Sequence, residues 1–255
     1  MDLTPKHLRE VILRMAHTGQ SAHVGCALSL VEIVSVLYGG LVSQGDRVVL
    51  SKGHGVMALY AALSEMGVIP RDWVERYMAP DVPLKGACEE DIPGLEVTSG
   101  SLGHGFPIAA GIAKGMKLAQ KPGHVYVIAG DGEMNEGSMW EAALFCAHHK
   151  LNNLTLIIDA NGLQAMGRSE DILGLEPLVP KLSAFGFIAA ECDGHDMGAL
   201  RRHLLFRSNK PKALVARTKK GAGVSFMEDT NDWHYRRVTT DVLALALEEV
   251  RRGDA

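Results

Sequence analysis

The sequence predicts an α/β fold with a parallel sheet and helices on both of its faces. Two apolar runs, residues 125–129 and 154–158, have the length and continuous hydrophobicity of strands buried on both sides. Between them, residues 138–150 place apolar side chains at helical spacing. Strand, helix and strand in this order form a crossover unit. Such units build parallel sheets, because consecutive parallel strands need a long connection.

The other elements follow from caps and apolar runs. Thr4 and Pro5 begin the first helix, which ends near Gly19. Ser29 followed by Glu32 has the spacing of a capping box for the next helix. Further strands are predicted at 47–50, 187–192 and 213–217, and further helices at 106–120, 178–185 and 240–252.

Composition places the chain among ordinary globular proteins. Of its 255 residues, 47% are hydrophobic and 22% are charged, which suits one large α/β domain or two smaller ones. The formal net charge is −4 without a long basic run, so we expect no nucleic-acid partner. No apolar stretch reaches the roughly 18 residues of a membrane span, and the chain starts without the apolar segment of a signal peptide. Four scattered cysteines are typical of the reducing cytoplasm, where we place the protein.

Polar residues follow both central strands. Gly130, Asp131 and Gly132 end the first strand, and the two glycines can adopt positive φ and let a ligand approach the backbone. Asn161 follows the second strand, 161 − 131 = 30 residues later. A carboxylate, an amide oxygen and a nearby backbone carbonyl form a set of hard ligands that suits Mg²⁺ bound to a diphosphate. A Gly-Asp-Gly sequence by itself is more often only a turn.

Two glycine-rich segments carry further polar groups. In Ser-Lys-Gly-His-Gly at 51–55, the glycines let the ring of His54 project from a tight turn. Imidazole titrates near neutrality, so His54 is suited to proton transfer. The loop at 100–105 precedes a helix, and backbone N–H groups in such a position bind phosphate.

The blocks around these motifs resemble the amino-terminal half of transketolases. They are SKGHG at 51–55, EVTSGSLGHGFPIAAG at 96–111, GDGEMNEGSMWEA at 131–143 and KKGAGVSFME at 219–228. The likeness runs in family order from about residue 5 to about 235. It implies a single thiamine diphosphate-binding domain over residues 1–255, with thiamine diphosphate and Mg²⁺ as cofactors.

The resemblance also implies roles for single residues. Asp131, Asn161 and the backbone carbonyl of Leu163 would bind the metal. The implied cofactor contacts are His54, Gly100, Ser101, Leu102, Gly130, Asp131, Gly132, Glu133, Asn161 and His234. The implied catalytic residues are His23, His54 and His234, which would stabilise alkoxides, and Glu136, which with Glu141 would join a carboxylate network at a subunit interface.

The chain departs from the family pattern at three places. Val24 stands where proline usually follows the first histidine, and Tyr235 stands where glycine usually follows the last one. A histidine that helps to hold the sugar donor in transketolases is replaced around Ala87, with Cys88 and two glutamates following. This last change puts an ordinary sugar-phosphate donor in doubt.

No segment resembles the pyrimidine-binding domain of transketolases, so we expect that domain on a separate chain, in a dimer of heterodimers. The expected reaction is transfer of a two-carbon ketol unit from a ketose to an aldehyde. Two alternatives remain open at this point. One is another thiamine reaction, either α-keto acid decarboxylation or acyloin formation, and the other is a non-catalytic partner of a full-length enzyme.

Overall fold

The structure, a computed structural model, describes residues 1–253. Its centre is a five-stranded sheet in which every neighbouring pair of strands is parallel, with the spatial order β1-β2-β3-β5-β4. The strands are β1 (Arg47–Leu50), β2 (Val125–Gly130), β3 (Leu154–Ala160), β4 (Ile188–Asp193) and β5 (Lys212–Arg217). The predicted parallel α/β sheet is confirmed.

Helices cover both faces of this sheet. They are α1 (Pro5–Thr18), α2 (Val24–Leu28), α3 (Val31–Val36), α4 (Val56–Glu65), α5 (Arg71–Glu75), α6 (Gly105–Leu118), α7 (Gly137–His148), α8 (Ser169–Leu173), α9 (Leu178–Ala184), α10 (Met197–Leu205) and α11 (Thr240–Arg252). Within residues 1–253, no helix is both long and apolar enough to cross a membrane.

Strand β2 shows how the two faces are filled. Tyr126 and Ile128 point into one core, which contains α1, α3, α4 and α11. Val125, Val127 and Ala129 point into the other, which contains α6, α7 and α9. Because successive side chains of a strand alternate between the faces, an unbroken apolar run is needed where both faces are buried.

The prediction of a capping box at Ser29 is wrong. Ser29 has helical φ and ψ at the end of α2, and no side chain caps the N-terminus of α3. Its hydroxyl donates instead to Oδ2 of Asp159 at 2.7 Å. Glu32 pairs with Arg9 at 2.7 Å and with Nδ1 of His195 at 2.9 Å. Long-range charged partners therefore replace a local cap that the sequence pattern favoured.

The register of the strands brings their carboxyl ends together. Leu50 pairs with Ile128, and Gly130 pairs with Asp159, which in turn pairs with Ala216. The loops that follow β1, β2, β3 and β5 therefore lie side by side at one edge of the sheet. Open α/β sheets bind their ligands at this edge.

Candidate cofactor and substrate site

A cleft of about 300 Å³ opens at the carboxyl edge of the sheet. Eleven of the predicted residues line it: His23, His54, Gly100, Leu102, Gly130, Asp131, Gly132, Glu133, Asn161, Leu163 and His234. Four residues without a predicted role join them: Cys26, Lys52, Gln164 and Ala165. A second groove, of about 340 Å³ between α1, α4 and α11, contains none of the predicted residues.

Asp131 presents a buried carboxylate at this edge of the sheet. Its Oδ1 accepts from the N–H of Gly132 at 2.9 Å. Its Oδ2 accepts from the N–H of Gly162 at 2.9 Å and from the hydroxyl of Ser169 at 3.0 Å. Burial, together with the charge of Asp159, raises the pKa of Asp131. Asp131 forms no ion pair within residues 1–253, so a cation in the cleft would remove an electrostatic penalty.

Asn161 and Leu163 supply neutral oxygens beside this carboxylate. The amide NH₂ of Asn161 donates to Oδ2 of Asp159 at 3.1 Å, while its Oδ1 accepts from the N–H of Leu163 at 3.1 Å. Asp159 thereby fixes which end of the amide is oxygen, and that oxygen keeps a second lone pair. A carboxylate, an amide oxygen and the carbonyl of Leu163 form the donor set that a hard divalent cation prefers, so these residues fit Mg²⁺.

Asp159 connects four segments of the site, a role that the motifs did not predict. It forms an ion pair with Lys52, and both side chains are almost fully buried. The hydroxyl groups of Ser29 and Thr218 also donate to it. Burial opposes its ionisation, but Lys52 and the other donors outweigh burial and hold the pKa of Asp159 below its usual range. The carboxylate therefore ties together the loops that carry His54, Asn161 and Lys220.

Three histidines from distant parts of the chain meet in the same cleft. The ring centroids of His23 and His54 are 5.5 Å apart, those of His23 and His234 are 4.8 Å apart, and those of His54 and His234 are 5.8 Å apart. Burial is the main cause that lowers the pKa of all three, to about 3 for His234. Lys52 and Lys220 add positive charge nearby and lower the pKa values further, so the three imidazoles are neutral at neutral pH.

His23 is held in a conformation that non-glycine residues adopt less often, with φ of 69°. Its N–H donates to the carbonyl oxygen of His234 at 2.9 Å, which links the two histidines through the backbone. Its Nδ1 is buried and has no hydrogen-bond partner within the described residues. Buried polar atoms without a hydrogen-bond partner are rare in folded proteins.

Lys220 is a second buried lysine that the motifs did not assign. Its Nζ lies 2.9 Å from Nδ1 of His234 and 3.5 Å from the carbonyl oxygen of Gln164. The same nitrogen of His234 is 3.8 Å from Sγ of Cys26. His23, Cys26 and His234 bring three potential metal-ligand atoms within 4.8 Å of one another. Nδ1 of His234 is already in contact with Nζ of Lys220, so this nitrogen is not free to bind a cation.

Glu133 joins the two glycine-rich segments. Its Oε1 accepts from the hydroxyl of Ser51 at 2.7 Å and from the N–H of Gly103 at 3.0 Å, and its Oε2 accepts from the N–H of Gly130 at 3.4 Å. Burial raises the pKa of Glu133 despite these donors. Glu133 therefore sets the distance between the loop that precedes α6 and the turn that follows β2.

The expectation of positive φ in the Gly-Asp-Gly turn is wrong. Neither Gly130 nor Gly132 has positive φ. A Cβ on Gly132 would lie 2.8 Å from Cγ of Gln164, and a Cβ on Gly53 would overlap the carbonyl oxygen of Ser99. Glycine is needed at these two positions because another segment approaches closely, not because of the backbone conformation.

Two predicted residues lie outside the cleft. Ser101 is exposed at the loop that precedes α6, and Glu136 is exposed immediately before α7. Glu141, the other acid of the expected carboxylate network, is exposed on α7. The structure does not bring these acids near the three histidines.

The segment around Ala87, where transketolases usually have a further histidine, lies beside Gly100. A Cβ on Gly100 would lie 3.3 Å from that of Ala87, whose carbonyl oxygen accepts from the hydroxyl of Tyr60 at 3.3 Å. Cys88 is buried and places its Sγ 4.0 Å from the carbonyl oxygen of Leu50. Tyr235 is 64% exposed, with its ring centroid 4.6 Å from that of His234.

Fold and site together define an α/β cofactor-binding domain that has hard-oxygen metal ligands at the carboxyl edge of its sheet. The family model described as "Transketolase, thiamine diphosphate binding domain" matches residues 5–249. The chain therefore belongs to the transketolase family. The match confirms the expected cofactor, thiamine diphosphate with a divalent metal.

Two relatives and one solved structure show how far the similarity extends. The chain is 39% identical over 255 residues to an apulose-4-phosphate transketolase subunit of Actinobacillus succinogenes, covering 95% of this chain and 92% of the relative. It is 35% identical over 246 residues to a 6-deoxy-6-sulfo-D-fructose transketolase subunit of Clostridium sp. (strain MSTE9), covering 92% and 90%. The transketolase structure from Campylobacter jejuni superposes with a TM-score of 0.88 at 27% identity, covering 98% of this chain and 43% of that one.

Proposed function

We propose that this chain is the diphosphate-binding subunit of a split transketolase, acting in the cytoplasm with its four cysteines as free thiols. The reaction is transfer of a two-carbon ketol unit from a ketose to an aldehyde. One observation carries the proposal: a single cleft is lined both by a hard-oxygen ligand set and by three histidines whose rings lie close together. The split arrangement is supported by the relative from Actinobacillus succinogenes, which is itself named as one subunit of a transketolase and is covered over 92% of its length.

The oxygen ligands of the cleft would anchor the cofactor through a metal ion. When bound, thiamine diphosphate supplies the carbon nucleophile that breaks and forms the carbon–carbon bond. Asp131, Asn161 and the carbonyl of Leu163 would hold Mg²⁺, which would supply positive charge for the diphosphate. Gly100 and Leu102 line the same cleft, in the loop that Glu133 fixes through the N–H of Gly103, and would contact the cofactor.

The three histidines of the cleft would form hydrogen bonds with the substrate oxygens. A neutral imidazole can donate one proton and accept another, and ketol transfer requires both at hydroxyl and carbonyl oxygens. The ring of His23 lines this part of the cleft, beside the rings of His54 and His234. Lys52, which lines the cleft, adds positive charge beside these histidines.

A second copy of the chain would cover an apolar surface on α6 and α7. Ile108, Leu144 and Phe145 are exposed there, 45%, 57% and 39% respectively, beside the exposed Glu141. Packing of this surface against its counterpart would produce the dimer of heterodimers and place Glu136 and Glu141 near the interface. Sedimentation should show that Leu144→Arg weakens self-association. Leu245→Arg on α11, at an equally exposed leucine, should not.

The proposed function is tested by mixing the chain with a pyrimidine-binding chain, thiamine diphosphate and Mg²⁺. The donors are phosphorylated and sulfonated ketoses and α-keto acids. Turnover from a ketose only in the mixture is the expected result. Turnover only from α-keto acids would instead identify a decarboxylase or an acyloin-forming enzyme. That alternative is favoured by Ala87, an apolar residue beside Gly100 where the donor-binding histidine of transketolases would stand. Absence of cofactor binding, with enhancement of a full-length enzyme, would identify a non-catalytic partner.

A further inference from the structure

The contact between Lys220 and His234 has a defined direction. Nζ of Lys220 lies 2.9 Å from Nδ1 of His234, and the lysine side chain has no exposed surface. An ammonium group has three donors and no acceptor, so the nitrogen that it contacts must accept. A neutral imidazole with an accepting Nδ1 carries its only proton on Nε2.

We propose that Lys220 is a positioning residue that holds His234 in the tautomer with the proton on Nε2, the nitrogen available to the cleft. Nδ1 is engaged by Lys220 and approached by Sγ of Cys26 at 3.8 Å. His234 lines the cleft beside the rings of His23 and His54. Its free nitrogen is therefore the one that meets a bound molecule.

The surroundings keep the ammonium in place. Its second acceptor is the carbonyl oxygen of Gln164 at 3.5 Å. The backbone of Lys220 is tied down, because the N–H of Asp229 donates to its carbonyl oxygen at 2.9 Å and the N–H of Gly221 donates to Gly25 at 3.0 Å. Burial and the charge of Lys52 lower the pKa of Lys220, while the carboxylates of Asp131 and Asp159 favour its charged form. Burial also lowers the pKa of His234, to about 3, so its imidazole is neutral at neutral pH.

The consequence for catalysis rests on the proposed function. A fixed Nε2–H makes His234 a hydrogen-bond donor to the substrate oxygen that becomes negatively charged during ketol transfer. Without Lys220, the proton would be free to move to Nδ1, and an accepting nitrogen would then face that oxygen. A preorganised donor costs no reorientation during the reaction, which is the physical benefit of the lysine.

The tautomer can be measured directly in the full chain, without substrate or partner. Histidine labelled with ¹⁵N gives long-range ¹H–¹⁵N correlations that distinguish a protonated from an unprotonated ring nitrogen. His234→Asn identifies the signals of His234 among the eleven histidines. We expect wild type and Lys220→Arg to show a protonated Nε2, and Lys220→Met to show a mixture. A protonated Nδ1 in the wild type, which a neutral lysine amine would produce, overturns the proposal even if Lys220→Met does not fold.

A kinetic comparison then separates this proposal from the function on which it rests. In the reconstituted enzyme, Lys220→Met should lower kcat about tenfold with little change in KM, and Lys220→Arg should recover most of the loss. Lys219→Met is the matched control, since this neighbouring lysine is exposed and pairs with Glu228 at 3.2 Å. Equal kcat in wild type and Lys220→Met overturns the catalytic consequence. No activity in any variant overturns the proposed function and leaves the tautomer result standing.

Discussion

The carboxyl edge and the amino edge of the sheet, where its strands end and begin, bury the same residue types in different surroundings. At the carboxyl edge, Lys220 contacts His234 beside the ion pair of Lys52 with Asp159. At the amino edge, Nζ of Lys212 donates to the carbonyl oxygens of Leu204 and Phe206 at 2.9 and 2.7 Å. There, Nε2 of His124 lies 2.7 Å from Oγ1 of Thr155. Both edges therefore contain a buried lysine and a buried histidine.

The two edges differ in whether their buried polar groups have partners within the protein. At the amino edge, the side chains of Lys212 and His124 have only neutral carbonyl and hydroxyl groups as hydrogen-bond partners, and the remaining cavity is about 30 Å³. At the carboxyl edge, charged groups face a cleft of about 300 Å³ in which the carboxylate of Asp131 has no counter-ion among the described residues. Burial of ionisable residues alone therefore does not mark a functional site. A functional site is marked instead by a cleft lined with charged or polar groups that have no partner in the protein.

The largest expected effect tests the carboxyl edge directly. Asp131→Asn keeps the volume of the side chain but removes the charge that holds the cation, so activity of the reconstituted enzyme should fall at least about 100-fold. Titration calorimetry should show a matching loss of thiamine diphosphate affinity in Mg²⁺. Lys212→Met at the amino edge should keep the cofactor affinity of the wild type. Wild-type affinity in Asp131→Asn would contradict the metal site.

The next effect compares the two buried lysines in the free energy of unfolding. Lys52→Met leaves the Asp159 carboxylate buried without its cation and should cost about 3–5 kcal/mol. Lys212→Met leaves neutral carbonyl groups without a donor and should cost about 1–3 kcal/mol. Urea denaturation of the isolated chain measures both. The double variant Lys52→Met/Asp159→Asn should recover part of the loss, and no recovery would mean that the charge imbalance is not the cause.

The lowered pKa values of two buried histidines predict how the free energy of unfolding depends on pH. The pKa of His124 is lowered to about 4, mainly by burial and then by Lys212, and that of His234 is lowered to about 3. In the unfolded chain, both titrate near their usual value of about 6.5. Between that value and the folded pKa, the unfolded state binds more protons, so stability falls as the pH is lowered below about 6.5.

Substitution at the amino edge tests this pH dependence. His124→Gln should flatten the fall in unfolding midpoint between pH 7 and pH 5, because one of the groups that causes it is removed. His148→Gln, on an exposed part of α7, should keep the wild-type slope. An unchanged slope in His124→Gln would show that the amino edge contributes nothing to the acid response.

The smallest effect compares one hydroxyl at each edge. Thr218→Val removes a donor from the charged Asp159 and should cost about 1.5–3 kcal/mol. Thr155→Val removes the partner of the neutral His124 and should cost about 0.5–1.5 kcal/mol. Urea denaturation again gives both values. Equal costs would remove the proposed distinction between charged and neutral acceptors at the two edges.

Local patterns predicted most of the fold, because strands and helices reflect short-range periodicity. The apolar runs around Val125 and Leu154 became β2 and β3, and the terminal helix spans the predicted residues. Patterns failed where a distant partner competed with a local interaction. Ser29 donates its hydroxyl to Asp159, 130 positions away, instead of capping a helix. Gly132 is required by the approach of Gln164 and not by its own φ.

The sequence by itself determined the parallel α/β architecture, the 30-residue interval between Asp131 and Asn161, and the identity of three histidines. These features depend on residue order and local spacing, which a sequence states directly. Only the tertiary structure decided that Lys52 and Asp159, 107 positions apart, form the buried pair at the centre of the site. It also decided that Lys220 reaches His234, and that Glu136 lies outside the cleft. Those outcomes depend on how loops from separate strands meet, and no local pattern encodes that.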